Sequence, residues 1–188
     1  MSDPGRPPDD GGVTPVRARA LACAVVVGLL SLSMPGCHRG GPVDAGPAFY
    51  RALWLPSVGP TPYDPRQLPG KVVLVSFLAT WCFPCLADLP TLKHLQETYG
   101  PQGFQVVAVG MDLDEGRVMA PFADHYAFPY PVLVSDERMR AGQSAFGRIR
   151  GLPSTVLLDK RGRAVAGWQG VEGQSDVAKA IEKLLKED

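Results

Sequence analysis

The sequence predicts an α/β domain in which a mixed β-sheet lies between two layers of helices. From residue 72 onward, short apolar runs rich in β-branched residues alternate with segments of helical apolar spacing. The last two predicted strands are joined by residues 159–162, a turn sequence that favours an antiparallel hairpin. Helical crossovers give parallel pairs and the hairpin adds an antiparallel pair, so the sheet should be mixed.

The elements are expected in the order β-α-β-α-β-α-β-β-α. Residues 72–78 are apolar at nearly every position, which is typical of a strand covered on both faces. In the following helix, 86–99, apolar residues recur at helical spacing, and Gly100 and Pro101 end it. The same reasoning predicts strands at 104–109, 131–134, 155–158 and 164–168, and helices at 115–126, 137–146 and 176–185.

Prolines should bend two of these helices. Pro90 is expected to kink the first helix and Pro121 to kink or interrupt the second, because proline lacks the N–H that a helix interior needs. The buried faces of the second and last helices are predicted to consist of Val118, Phe122 and Tyr126, and of Val177, Ile181, Leu184 and Leu185.

Length, charge and cysteine content limit the class of protein. The chain has 188 residues, which is room for one ordinary domain and a tail, and 45% are hydrophobic, enough for a buried core. Lys and Arg number 19, as do Asp and Glu, so the formal net charge is zero. Nucleic-acid binding generally needs a basic excess, so we expect no nucleic acid partner. Four cysteines are too few for a small disulfide scaffold.

Residues 1–36 are predicted to be a disordered preface followed by an export signal. Arg17 and Arg19 precede an uncharged run at 20–33, whose 14 residues are fewer than the roughly 20 that a membrane-spanning helix requires. The run leads to Gly36 and Cys37, which resemble the end of a bacterial lipoprotein signal, where a small residue precedes the cysteine that is lipidated. Cys37 is therefore the predicted lipidation site. An uncleaved membrane anchor and plain secretion are the alternatives.

Residues 37–67 are predicted to connect the lipidated cysteine to the folded domain. Residues 38–48 carry Gly and Pro without apolar periodicity, as a flexible tether does, and a Pro-rich lead-in follows. Residues 49–55 are apolar enough to pack, but their pattern does not decide between helix and strand. The domain proper is expected at 68–188.

The chemistry is concentrated where the first predicted strand ends. Cys82 and Cys85 are separated by two residues at the start of a predicted helix, so their sulfurs can reach each other with little backbone strain. Cys82 would lie at the helix amino terminus, where unpaired N–H groups and the helix dipole favour the thiolate that attacks a disulfide. Cys85, one turn further, would be shielded and would resolve the mixed disulfide. Pro84 fits the first helical turn.

Half of a zinc site is the alternative interpretation of this cysteine pair. A structural zinc ion normally takes four ligands. The other possible ligands are Cys23 and Cys37, which belong to the predicted signal, and His38, His94 and His125, which have no paired spacing. The sequence therefore favours a redox pair, and we expect no metal.

Residues 72–90 resemble the active-site segment of the thioredoxin superfamily, and more narrowly that of the exported TlpA/ResA-like thiol–disulfide oxidoreductases. The motif Trp-Cys-x-Pro-Cys is shared across the superfamily, and Asp88 with Pro90 is similar to the acidic-x-Pro pattern of the exported group. Residues 115–126 with their flanks resemble the helix and strand that this group inserts into the core. The resemblance covers roughly 68–188 and implies a thioredoxin-like fold.

The resemblance also implies roles for individual residues. Residues 151–155 are similar to the loop that carries a cis-proline, so Pro153 would face the cysteine pair and present the backbone of Leu152 to an extended peptide. Asp88 would lie beneath the pair and exchange protons with Cys85, because residues i and i+3 share a helix face. A solvated carboxylate at the helix start is the alternative for Asp88.

Substrate contacts are expected from the residues around the pair. Trp81 would form a wall beside the site, and Phe83 would add apolar contact surface next to Pro84. Trp168 and Gly170 either line the groove or pack in the core.

Two further sets of polar residues are expected to be exposed. Asp112, Asp114 and Glu115 are interpreted as a solvated loop and helix start, with a metal site as the weaker alternative. His94 and His125 are expected on helix surfaces.

The resemblance implies a membrane-tethered, extracytoplasmic protein that reduces disulfides of exported proteins, among which apocytochrome c is a typical substrate of the group. The pair would end oxidised and be recharged by a membrane electron donor, and the Cys82–Cys85 disulfide would serve without any cofactor. A dithiol oxidase is the alternative within the same chemistry. A copper-delivery chaperone is the alternative of another class, although such modules usually space their cysteines by three residues.

Overall fold

The computed structural model describes residues 46–114, 116–171 and 174–187. The strands are β1 (Ser57–Val58), β2 (Val72–Leu78), β3 (Phe104–Gly110), β4 (Val132–Val134), β5 (Ser154–Leu158) and β6 (Ala164–Gln169). The helices are α1 (Gly46–Ala52), α2 (Phe83–Tyr99), α3 (Met119–Tyr126), α4 (Glu137–Arg140) and α5 (Gln174–Lys186). Within these described ranges the strands form one six-stranded sheet in the order β1-β4-β3-β2-β5-β6, and the element order predicted from residue 72 is confirmed.

The central strand is β2, and every one of its residues is buried. It pairs parallel with β3 and antiparallel with β5, so that Val75 lies opposite Val107 on one side and Val156 on the other. β4 continues the parallel pairing beyond β3, and β6 forms the predicted hairpin with β5. The sheet is therefore mixed, as predicted, and the parallel strands β2, β3 and β4 end at the same edge.

Two apolar clusters, one on each face of the sheet, form the core. Val72, Leu74 and Leu78 of β2 belong to the cluster that α2, α3 and α5 cover. The alternate β2 residues belong to the other cluster, with Leu53 just after α1 and Met139 of α4. This alternation follows from the two-residue period of a strand. Of the predicted buried face of α5, Val177, Ile181 and Leu184 are buried and Leu185 is partly buried.

The second predicted helix is shorter than expected and α3 begins at Met119 rather than at 115. Gly116 has a φ of +90°, which does not fit a right-handed helix, so the chain turns before the helix starts. Pro121 consequently lies in the first turn, where a missing N–H costs little and the helix is not interrupted. Met119 and Ala123 are the buried residues of the helix, and Phe122 and Tyr126 pack partly buried against the same cluster, in line with the prediction. Val118 precedes the helix and is exposed, contrary to the prediction.

The third predicted helix ends at Arg140 instead of 146. Asp136 caps its start by accepting a hydrogen bond from the N–H of Met139. Gly142 has a φ of +75°, its N–H bonds the carbonyl of Met139, and the N–H of Gln143 bonds that of Arg138. This pair of bonds closes a helix with a left-handed residue and stops its continuation.

The described part of the lead-in begins with α1, so residues 46–48, which were predicted to belong to the flexible tether, are helical instead. Residues 49–55, whose type the sequence left open, enter α1 and the turn after it, and the pairing of β1 with β4 adds an antiparallel strand at the sheet edge. The predicted signal, the tether up to residue 45 and Cys37 lie outside the described residues. No helix in the described part of the chain is long and apolar enough to span a membrane.

Candidate active site

The cysteine pair lies at the junction of β2 and α2. Cys82 has an extended backbone and is the N-cap of α2, so the helix begins at Phe83 and not at 86 as predicted. Cys85 lies in the first turn, and its N–H donates a hydrogen bond to the Sγ of Cys82 at 3.2 Å. The two sulfurs are joined in a disulfide. Pro84 occupies the first helical turn, as predicted, and α2 continues through Pro90.

The sulfurs are shielded while their neighbours are exposed. Cys82 and Cys85 are 4% and 3% exposed. Trp81 and Phe83, which flank Cys82, are 67% and 82% exposed. Large exposed apolar side chains commonly mark contact surfaces, so this rim is where a partner polypeptide can reach the disulfide.

A second loop completes the rim. The Leu152–Pro153 peptide bond is cis, as predicted, and Pro153 is buried. The N–H of Gly170 donates to the Pro153 carbonyl at 2.8 Å, and the Ser154 hydroxyl donates to the Gly151 carbonyl at 2.7 Å. These bonds fix the loop between α4 and β5.

An open groove connects the cysteine turn to this loop. Its lining consists of Trp81, Met111, Ile149, Arg150, Gly151 and Leu152. Arg150 is the charged residue of this lining and the other side chains are apolar. Trp81 and Leu152, two of the residues predicted to contact a substrate, are thus part of one groove lining.

Asp88 lies one helical turn after Cys85 and is 6% exposed, so the solvated alternative is wrong. Burial raises the pKa of its carboxyl group, because a charge is less favourable away from water. Asp88 lines a small cavity together with Thr155 of β5 and Gly170. A buried carboxyl group with a raised pKa keeps its proton to a higher pH than an exposed one, and such a group beside a cysteine pair is a candidate for proton exchange.

Tyr130 is a buried neighbour of Asp88 that the sequence did not single out. Its hydroxyl is enclosed in the core and has no hydrogen-bond partner among the described residues. Burial raises its pKa, and the charge of Asp88 adds to the rise. The hydroxyl of Ser76, on the same face of β2 as Leu74, is likewise buried without a described partner.

Asp112 is buried, and the prediction of a solvated loop residue is wrong for it. Its carboxylate accepts hydrogen bonds from the N–H of Thr80, at 3.2 Å to each oxygen, and from the Thr80 hydroxyl at 2.7 Å. Thr80 precedes Cys82 by two residues. Asp114 is half-buried and accepts a bond from the N–H of Val118 at 2.7 Å, which closes the turn before α3.

The remaining candidates are two histidines, one tryptophan and Glu115. His94 and His125 are exposed on α2 and α3, as predicted. Trp168 is partly buried and packs against the core, which decides between its two interpretations. Glu115 is not among the described residues, and within those residues no group of three or more His, Cys, Asp or Glu side chains could hold a metal ion.

The comparisons with known proteins agree with this geometry. A family model described as Redoxin matches residues 42–184. The chain belongs to the redoxin family. It is 31% identical over 122 residues to the thiol-disulfide oxidoreductase ResA of Halalkalibacterium halodurans, covering 65% of this chain and 67% of the relative. It is 36% identical over 100 residues to the thioredoxin-like protein YneN of Bacillus subtilis, covering 52% and 55%.

Solved structures of this superfamily share the fold. A thiol:disulfide interchange protein of the thioredoxin family from Chlorobium tepidum superposes with a TM-score of 0.56 at 25% identity, covering 70% of this chain and 94% of that one. A secreted thiol-disulfide isomerase from Corynebacterium glutamicum superposes with a TM-score of 0.58 at 24% identity, covering 71% and 86%. The predicted thioredoxin-like fold and the resemblance to ResA-like proteins are thereby confirmed.

The chain spans about half to two thirds of the length of the two curated relatives described above. Family, fold and the linked cysteine pair make it a thiol–disulfide oxidoreductase.

Proposed function

We propose that this protein is an exported, membrane-tethered reductase of protein disulfides. The observation that carries the proposal is the position of the pair: Cys82 caps α2 beneath an exposed apolar rim, across a groove from the cis Leu152–Pro153 loop. This arrangement suits an extended polypeptide whose disulfide must be brought to one attacking sulfur.

The reaction proceeds by two exchanges. In the reduced protein the Cys82 thiolate attacks one sulfur of a substrate disulfide, which forms a mixed disulfide and releases the other substrate sulfur as a thiolate. The Cys85 thiolate then attacks the Cys82 sulfur, so the substrate leaves with its second thiol. Two electrons pass to the substrate, and the pair is left as the disulfide seen here.

Charge stabilisation on Cys82, proton transfer from Cys85 and substrate contacts assist these exchanges. The helix amino terminus and the N–H of Cys85 stabilise negative charge on the Cys82 sulfur. Asp88 takes the proton from the Cys85 thiol before its attack, because its carboxyl lies in the buried layer one turn further along α2. Pro153 and Leu152 hold the substrate backbone, while Trp81 and Phe83 contact its apolar side chains.

Export and tethering rest on the amino-terminal sequence. Residues 17–36 have the pattern of a signal, and Cys37 follows a small residue, as lipidated cysteines do. A lipid on Cys37 would hold the domain at a membrane, facing exported proteins whose thiols are prone to oxidation. A membrane electron donor with a dithiol would then return two electrons to the pair. Apocytochrome c is one substrate class that fits this location.

The reduction potential of the Cys82–Cys85 pair, measured against a glutathione series, tests the direction of electron flow. Reductants of this fold lie at about −270 mV and strong oxidants at about −120 mV. We expect a potential below about −200 mV, together with catalysis of insulin reduction by dithiothreitol. A potential near −120 mV would assign the protein to dithiol oxidation instead.

A further inference from the structure

The β2–β3 register continues past the ends of the two strands. Every parallel pair between them joins residues 32 positions apart, ending with Leu78 and Gly110. The Met111 N–H then donates to the Leu78 carbonyl at 2.8 Å. Thr80 and Asp112, again 32 apart, are joined by the Asp112 carboxylate instead of by backbone groups.

This link lies where the chain must leave the sheet and enter α2. Once the strand ends, the N–H of Thr80 has no carbonyl opposite it, and a buried N–H without a partner is costly. The Asp112 carboxylate supplies the acceptor with both oxygens and takes the Thr80 hydroxyl as well. Two residues after Thr80, the N–H of Cys82 donates to the carbonyl of Ala79 and closes the turn.

We propose that Asp112 is a positioning residue for Cys82, acting through Thr80. By holding Thr80 in the extended register, it fixes the turn in which Cys82 caps α2 and receives the hydrogen bond from the Cys85 N–H. The inference rests on the proposed function in that Cys82 is taken as the attacking thiol. It assigns to Asp112 a part in keeping that thiol reactive, in addition to its contribution to folding.

The hydrogen bonds between Asp112 and Thr80 involve no atom of Cys82 or Cys85, so their effect on the Cys82 sulfur must pass through the backbone of the turn. If the turn loosens, the Cys82 sulfur spends less time opposite the Cys85 N–H, and its thiolate loses stabilisation. One hydrogen bond of this kind corresponds to a change of about two- to tenfold in an equilibrium. The expected consequence is a higher pH midpoint for thiolate formation on Cys82 and a lower rate of attack at neutral pH.

The test is alkylation of the reduced full chain by iodoacetamide from pH 5 to 10, with mass mapping of Cys82. Thr80→Val removes the hydroxyl bond and retains the side-chain shape. We expect its midpoint to rise and its alkylation rate at pH 7 to fall by about two- to tenfold. Thr80→Ser, which keeps the hydroxyl, should restore the wild-type profile. Asp112→Asn keeps an oxygen acceptor for Thr80 and should not raise the midpoint.

A matched control separates positioning from stability. The Thr61 hydroxyl donates to the Phe128 carbonyl at 2.7 Å, the same length as the bond from Thr80, but it lies in the lead-in segment. Thr61→Val should lower Tm as Thr80→Val does, and should leave the Cys82 profile unchanged. If Thr80→Val lowers Tm while its profile superimposes on wild type, the link is structural alone and the proposal is overturned. Because alkylation needs no substrate protein, this result is independent of whether the protein is a reductase.

Discussion

The N–H of Cys85 points at the Sγ of Cys82, 3.2 Å away, whereas no described N–H donates to the Sγ of Cys85. The two sulfurs of the pair are therefore not equivalent. An N-cap sulfur receives the hydrogen bond and the positive end of the helix dipole, and both favour its thiolate. This asymmetry is the structural basis for assigning attack to Cys82 and resolution to Cys85.

Asp88→Asn should stabilise the oxidised protein at neutral pH. Burial raises the pKa of Asp88 in the folded protein above its usual value of 3.8, which it keeps in the unfolded chain. Between the unfolded and the folded pKa, the folded protein therefore binds more protons than the unfolded chain. Stability consequently falls as the pH rises through that window. Asparagine at position 88 does not titrate, so it removes this pH dependence of stability. The Tm of Asp88→Asn should match wild type near pH 4 and exceed it by a few degrees at pH 8.

Asp159 provides the control of opposite sign. It is also buried, which by itself raises its pKa, but hydrogen bonds from Arg163 and Arg161 outweigh burial and lower it. The stability that it contributes is present above its usual pKa and is lost as the pH falls. The Tm of Asp159→Asn should therefore lie below that of wild type at pH 7, and the difference in Tm should become smaller toward low pH. Parallel pH curves for the two variants would contradict the assignment of Asp88.

Kinetics of Asp88→Asn should separate the two exchanges. Attack by Cys82 should survive, because the helix amino terminus is unchanged. Resolution by Cys85 should slow by about 10²-fold, because its proton has no nearby acceptor. Stopped-flow reduction of a model disulfide from pH 5 to 9 measures both phases. If the pH–rate profiles of wild type and variant superimpose, Asp88 takes no part in the proton transfer.

The apolar rim should matter for proteins and not for small disulfides. Phe83→Ser removes a side chain that is 82% exposed and free to contact a substrate. We expect kcat/KM for a protein disulfide to fall about fivefold, for roughly 1 kcal/mol of lost apolar contact, with little change for glutathione disulfide. Trp54 is similarly exposed, at 64%, but lines a groove beside α1. Trp54→Ser should leave both activities unchanged, and equal losses in the two variants would argue against a specific rim.

Lipidation of Cys37 is tested in a bacterium that processes lipoproteins. Mass spectrometry of the mature protein should find a lipid on Cys37, since a thioether-linked diacylglycerol requires the cysteine sulfur. Cys37→Ser should release the protein or leave an unprocessed precursor. Mature protein with an unmodified Cys37 would exclude the anchor and leave plain secretion or an uncleaved span.

Local patterns were sufficient for the cysteine turn. A buried strand, two cysteines at helical spacing and a proline in the first turn all lie within one short segment, and the structure places Cys82 and Cys85 as that segment predicts. The cis bond at Pro153 was predicted from the resemblance of residues 151–155 to the family's loop, since a cis X–Pro bond is rare without such context. The difference between the predicted and the observed length of α4 also has a local cause, because Gly142 lies inside the predicted helix and its left-handed backbone ends the helix early.

Residues whose environment depends on strand pairing could not be predicted in this way. Asp112 lies in an acidic stretch whose composition predicts solvent exposure. Its burial follows from the β2–β3 register, which brings it to Thr80, 32 positions earlier. Tyr130 lies in a Pro-rich stretch before β4, and only the packed sheet brings it near Asp88. Local periodicity contains no information on which distant side chain will be opposite.

The assignment of Cys82 as the attacking thiol is tested most directly by trapping. Reduced Cys85→Ser and Cys82→Ser variants of the full chain are mixed with insulin, quenched by alkylation and analysed by mass spectrometry. Cys85→Ser should accumulate a mixed disulfide mapped to Cys82, because the resolving sulfur is gone, whereas Cys82→Ser should trap almost none and lose insulin reduction. Trapping through Cys85 at a comparable rate, or full activity in Cys82→Ser, would contradict the account.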